Sequence, residues 1–187
     1  MPGSVQPTAR CNCAATKAKH SRQQPEQQIA SKEHKTVGIR FAATADVAAL
    51  VQGGERMHAL TRFRDQPYDP AKVSKAFTDI IQAGQGKYVL LVAENKTHIV
   101  GALVGVVEQQ IFSNHYTASI MHIDVLPEAR MGGWAVRLLK AFEQWAKNRG
   151  VIELGFGVNS EDDMQRIGQF AQRMGYRKVG ENYVRRA

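Results

Sequence analysis

Apolar and polar positions change their period several times along the chain, and each change marks an element. Residues 37–41 are extended in character and predict a first strand. Thr44 is a fitting N-cap for a helix running to about Leu60, and residues 61–68, polar and aromatic, read as a loop. Asp69 then caps a second helix that Pro70 starts and Gly84 ends. Residues 87–94 and 98–111 predict two strands joined by Asn95-Lys96-Thr97, and a long strand follows over residues 117–126. After a turn the period becomes helical: Ala135, Leu138, Leu139, Phe142, Trp145 and Ala146 make one stripe of a helix that ends at Arg149-Gly150. A strand over 151–158, a helix over 160–174 stopped by Gly175, and closing strands over 176–178 and 182–185 complete the pattern. The order predicts a mixed α/β domain with helices on both faces of a sheet.

Composition changes this picture mainly at the N-terminus. Residues 1–36 are rich in Gln, Ser, Lys and Pro and poor in large apolar side chains, so they are expected to be a disordered basic tail. The folded domain is expected over 37–187. About half of the +8 formal charge sits in that tail, where Arg10, Lys17, Lys19, Arg22, Lys32 and Lys35 face only Glu26 and Glu33. The remaining excess suits an anionic cofactor as well as a nucleic acid, but no nucleic-acid-binding motif accompanies it, so nucleic acid is not the expected partner. Cys11 and Cys13 lack further Cys or His at ligand spacing, so no metal site is expected. No apolar run is long enough to span a bilayer, no secretory signal is apparent, and cytoplasmic is the default location.

The turn Arg130-Met131-Gly132-Gly133-Trp134-Ala135 lies between the long strand and the striped helix. A helix N-terminus offers unpaired N–H groups and the positive end of a dipole, which suits a phosphate. Glycines allow close backbone approach, and an arginine adds donors. The plainer alternative is a turn whose glycines only relieve strain.

At this point the sequence resembles the GNAT (GCN5-related) N-acetyltransferase superfamily, whose Arg/Gln-x-x-Gly-x-Gly/Ala signature is met by Arg130, Gly133 and Ala135. Ile123-Asp124-Val125-Leu126-Pro127 resembles the family's strand-then-proline approach. Asn159, Gly175-Tyr176 and the opening Ile39-Arg40 followed by Ala42-Ala43-Thr44-Ala45-Asp46 match further positions. The resemblance implies a mostly antiparallel central sheet and a co-substrate, acetyl-CoA. Backbone groups of Ile123 and Val125 would pair with its pantetheine arm, and N–H groups of Met131, Gly132, Gly133, Trp134 and Ala135 would hold its diphosphate. Asn159 would orient the cofactor or simply form a turn; Trp134 would cover the cofactor or pack outside it. The implied partner is an amine on a small molecule, protein or peptide, with a homodimer allowed. The implied reaction is acetyl transfer to a primary amine by direct attack in a ternary complex.

Two departures from the family leave catalysis open. A tyrosine that commonly protonates the departing thiolate is replaced by Ala171, and the strand positions that carry a base in some relatives are Ser119 and Met121. The remaining candidates are Glu108, His122 and Asp124, of which Asp124 is favoured because it lies beside the expected thioester. Strand parity points His122 and Asp124 to the opposite face from Ser119 unless a bulge re-aims them. Met57, His58, Arg62, Phe63 and Tyr68 either build an acceptor pocket or form an ordinary exposed loop. The missing tyrosine also leaves an alternative: a catalytically silent CoA-binding or interaction module.

Overall fold

A computed structural model of the chain describes residues 37–84, 86–157, 164–180, 183 and 185. In chain order these form β1 (Gly38–Phe41), α1 (Val47–Ala59), α2 (Pro70–Gln82), β2 (Tyr88–Glu94), β3 (Ile99–Gln109), β4 (Tyr116–Val125), α3 (Trp134–Lys147), β5 (Val151–Phe156) and α4 (Met164–Arg173). Single 3-10 segments, Thr44–Asp46 and Pro127–Gly132, lead into α1 and α3. The tail with its Cys11–Cys13 pair, and Asn159, lie outside the described residues. Among the described residues no helix is long and apolar enough to cross a membrane.

The five strands make one sheet in sequence order, antiparallel except for the parallel β4–β5 pair. The mixed α/β class predicted from the sequence is the one observed. Sheet alternation divides the core in two. Val89, Leu91, Ala93 and Leu103 pack against α3, whose Leu138, Leu139 and Phe142 are fully buried. Leu90, Val92 and Val104 pack on the other face with Leu50 of α1 and with Phe77, Ile80 and Ile81 of α2. β2 is thus covered on both sides, which is why its sequence is a continuous apolar run rather than an alternating one. Gly105 of β3 is there for space: a Cβ on it would collide with the edge of the Phe142 ring.

An ion cluster joins three elements on the α1–α2 face. Arg40 of β1 donates through both terminal nitrogens to Asp46 (2.7 and 2.9 Å) and through Nε to Glu94 of β2 (2.8 Å). Both carboxylates are nearly buried. The Arg40 guanidinium holds the Asp46 carboxyl below its ordinary value, and the Ala43 N–H, donated to Asp46 at 2.7 Å, adds to this. Asp46 therefore does the capping that the sequence reading assigned to Thr44. Its carboxylate reaches back to the turn's first N–H, and Thr44 sits inside the 3-10 turn with Ala43 as its N-cap.

The closing strand expected over residues 176–178 is absent. Tyr176 spends its backbone on the end of α4: its N–H donates to the Ala171 carbonyl (3.0 Å) across Gly175, which takes φ +90°. This six-to-one bond over a left-handed glycine is a Schellman cap, and the Tyr176 ring packs on Phe156 at the end of β5. The strand expected over 182–185 falls mostly outside the described residues, and Tyr183 and Arg185 are not in strand.

Candidate functional site

β4 pairs with β5 only from Tyr116 to Ile120, where Ile120 lies beside Phe156, the last residue of β5. β4 continues to Val125, so from Met121 onward its outer edge has no strand beside it among the described residues. The orientation of that edge follows from one bond. Leu126 donates its N–H to Val100 of β3 (2.9 Å), so the carbonyl of the same planar peptide, that of Val125, points away from β3. Ile123, two residues earlier, repeats the orientation. These are the two residues the sequence singled out for backbone pairing. Arg130 Nε lies 3.3 Å from the Val125 carbonyl and donates to it, at the far end of the same edge.

The edge runs through the 3-10 segment into α3. Gly133 caps that helix at φ +69°, a left-handed conformation that favours glycine, and a Cβ there would meet no atom within 4 Å. Space is therefore open over the turn, and the first-turn N–H groups of α3 have no acceptor within the helix. Gly132 has a different reason to be glycine: its Cβ would lie 2.7 Å from the Trp134 indole nitrogen. The Trp134 side chain is buried in the α3 core, with the Arg137 guanidinium 3.8 Å from its ring. Met131 projects outward, 98% exposed, and Ala135 packs against the core.

Strand parity alone would have placed His122 and Asp124 on the α3 face. The β3–β4 ladder shifts between Val104 and Gly105: Ile120 faces Gly105 while His122 faces Val104, leaving Met121 as an extra residue. This bulge restores His122 and Asp124, opposite Val104 and Ala102, to the α1–α2 face that Ser119 shares opposite Val106. His122 is the first residue on that face after β5 ends. Solvent reaches its ring, yet the protein around it pushes its pKa below the ordinary imidazole value through desolvation. Glu108 is on the same face but opposite Thr117, four residues from Val104 along β3 and so roughly 13 Å away along the strand. It is exposed and ion-paired with Lys87 at 3.5 Å. The structure brings His122 and Asp124 together at the point where the strands part and leaves Glu108 at the other end.

Tyr176, just after α4, is not free to replace the missing acid at Ala171. Tyr176 donates its hydroxyl to Glu143 of α3 (3.2 Å), and burial together with that carboxylate pushes its pKa up, so its proton is held.

The loop between α1 and α2 folds back on α1. Tyr68 donates its hydroxyl to the Val51 carbonyl (2.7 Å) and packs its ring against His58, centroids 5.5 Å apart. Gly54 is required beneath it, because a Cβ would come 2.8 Å from the Tyr68 oxygen. The Arg62 guanidinium lies 4.5 Å from the Phe63 ring centroid, and its Nε is buried without a hydrogen-bond partner.

The family model described as "Acetyltransferase (GNAT) family" matches residues 55–176, which hold the free edge, the turn and α3. No curated protein matches the sequence. Solved structures share the fold at low identity. Glucosamine-6-phosphate N-acetyltransferase from Arabidopsis thaliana is 14% identical with a TM-score of 0.64, over 81% of this chain and 99% of that one. Ribosomal-protein-alanine N-acetyltransferase from Brucella melitensis biovar Abortus 2308 is 16% identical with a TM-score of 0.63, over 81% and 99%. An aminoglycoside acetyltransferase from an uncultured soil metagenomic sample, in complex with sisomicin, is 21% identical with a TM-score of 0.59, over 80% and 95%.

Proposed function

The chain belongs to the GNAT acetyltransferase family, and on that premise we propose that it moves an acetyl group from acetyl-CoA to a primary amine by direct attack in a ternary complex. The observation that carries this reading is the free edge of β4, which leads without interruption into an open, left-handed glycine turn at a helix N-terminus. An extended chain bearing amides can add to such an edge as a strand does. Ile123 and Val125 supply the backbone groups, and the N–H groups over residues 131–135 with Arg130 receive a diphosphate at the dipole's positive end.

Acetyl-CoA supplies the acyl carbon as an activated thioester. His122 takes a proton from the arriving ammonium, directly or through one water, and so frees the nitrogen's lone pair. The amine nitrogen then bonds to that carbon, the carbon–sulfur bond breaks, and the proton the nitrogen sheds on becoming an amide passes through water to the leaving thiolate. A lowered pKa keeps the imidazole neutral at and somewhat below neutral pH, which a base requires. Asp124, next on the same face, attracts the incoming ammonium and holds a relaying water. His122 thus takes the role for which the sequence favoured Asp124, because it stands nearest the parting of β4 and β5. Positioning by the sheet accounts for much of the rate.

The test is thiol release from acetyl-CoA across an amine panel, paired with acetyl-CoA affinity. Gly133→Val should weaken affinity by roughly tenfold or more, about 1.4 kcal/mol. Gly133→Asn, which tolerates the left-handed conformation, should lose less. Undiminished binding by a folded Gly133→Val protein would remove the turn from the site. Binding without thiol release for any amine would leave a CoA-binding module instead.

A further inference from the structure

β4 and β5 part beside a small polar notch. Their last paired rungs are Ser119 with Gly155 and Ile120 with Phe156. The Ile120 rung belongs to the α3 face and is filled: Ile120 is buried, and Phe156 packs against the Phe170 and Tyr176 rings. The Ser119 rung belongs to the other face, where β4 presents only Thr117, Ser119, His122 and Asp124 and where Gly155 has no side chain. A Cβ on Gly155 would come 2.8 Å from the Ser119 Oγ, so the hydroxyl lies over the glycine, toward the line of β5. Ser119 is half-buried, and its hydroxyl has no hydrogen-bond partner among the described residues.

His122 is the next residue of β4 on this face. It stands opposite Val104 and Ser119 opposite Val106, so the two are one pleat apart, roughly 7 Å along the strand. A chain added to the free edge of β4 takes the line that β5 occupies as far as Phe156. The reactive end of such a chain would therefore meet the end of β5 and have to leave the plane of the sheet. On the α3 face the aromatic rings close the way, whereas on the opposite face Gly155 leaves it open. That exit runs between the Ser119 hydroxyl and the His122 side chain.

We propose that Ser119 is a catalytic residue whose hydroxyl donates a hydrogen bond to the thioester sulfur and stabilises the thiolate that forms when the carbon–sulfur bond breaks. The inference rests on the acyl-transfer reading for where the thioester lies. A donor already aimed at the atom where charge develops needs no rearrangement at the moment of reaction. Ser119 keeps its own proton throughout, and the sulfur is protonated through water as before. Two neighbours on one strand thus divide the work, His122 serving the nitrogen and Ser119 the sulfur. The sheet supplies what Ala171 cannot supply from α4.

The test reads bound CoA before it reads turnover. A thiolate absorbs in the ultraviolet where a thiol does not, so titrating the CoA complex with pH, against the acetyl-CoA complex as blank, follows ionisation of the bound sulfur. A hydrogen bond to the charged form favours it, so the thiol should ionise at higher pH in Ser119→Ala than in wild type. Ser119→Thr keeps the hydroxyl and should stay close to wild type. Gly155→Ala, whose added Cβ displaces the hydroxyl, should shift the titration as Ser119→Ala does. For any amine of the panel that is acetylated, Ser119→Ala should lower kcat by roughly tenfold or more with the KM for acetyl-CoA nearly unchanged. An unchanged ionisation or an unchanged kcat overturns the inference and leaves acyl transfer standing. Ionisation that follows Ser119 without transfer to any amine keeps the hydrogen bond and refutes the reaction. Failure of CoA to bind overturns both.

Discussion

Arg40 and His122 are two titratable side chains with different tasks. Arg40 is bonded at every nitrogen the cluster can use, and it neutralises one of two nearly buried carboxylates. Arg40→Ala would strand both, and unfolding should show a loss of roughly 2–4 kcal/mol, discounted because the arginine itself is a third exposed. Asp46 sets the pH dependence of this stability. Its folded pKa is depressed, so its contribution is complete above the unfolded value of about 3.9 and is lost as pH falls through the lower folded value. Asp46→Asn should therefore flatten the acid limb of the stability curve below about pH 3.9, the unfolded value. His122 is different in that desolvation works on it without any partner. His122→Ala should lower kcat/KM by a factor on the order of 10² at neutral pH, with the deficit shrinking as alkali deprotonates the amine unaided. The acid limb of the wild-type rate profile should fall below about pH 6.5, on the low side of an ordinary imidazole. A limb above that value would remove His122 as the base. From sequence, Glu94 and Arg40 gave a signal that passed unread: charges set among core positions of strands usually mean a partner nearby.

Elements were legible where their signal is local. The stripe of α3, the Asp69 cap, which accepts the Lys72 N–H at 3.0 Å, and the glycine stops of α2, α3 and α4 all come from residues close in sequence. The bulge at Met121 is a relation between two strands, and no single-strand pattern contains it. For that reason parity placed His122 and Asp124 on the wrong face. The expected strand over 176–178 failed for a related cause: a tyrosine after glycine reads as a strand start, whereas its N–H was needed to finish α4. A bulge bends its strand and increases twist, which turns β4 out of line with β5. Deleting Met121 would make Ile120 and His122 neighbours, with regular alternation and unchanged faces. That protein should fold with equal or higher Tm yet bind acetyl-CoA more weakly; full retention of affinity would show that the bulge does not shape the cleft. Gly105→Ala probes the other face, where an added Cβ collides with the Phe142 ring. A loss of about 1–3 kcal/mol is expected, with acetyl-CoA affinity per folded molecule preserved.

At the scale of the whole molecule the candidate site is a place where a sheet stops. The turn and its approach were legible from sequence because they are contiguous; the parting of β4 from β5 was not, because it depends on how far two distant segments pair. Hydrogen exchange should register it directly. Amides of Ile123 and Val125 should exchange fast in the free protein and slow on adding acetyl-CoA, while those of β2 stay protected throughout; unchanged exchange at β4 would sever the edge from ligand binding. Truncation of residues 1–36 should leave Tm and acetyl-CoA affinity nearly unchanged, since their composition offers little to pack. The parallel pairing of β4 and β5 also sets an order of events in time. β2, β3 and β4 are joined by short reversals and can zip as a meander, whereas β5 reaches β4 only after the crossover through α3 has closed its loop. Docking of β5 is therefore the late step of folding. Substitutions in β5 such as Leu154→Ala should speed unfolding and hardly slow refolding, and those in the β2–β3 hairpin should do the reverse. If the proposed reading holds, the capacity to bind acetyl-CoA is acquired last, since the free edge of β4 has no second wall until β5 arrives.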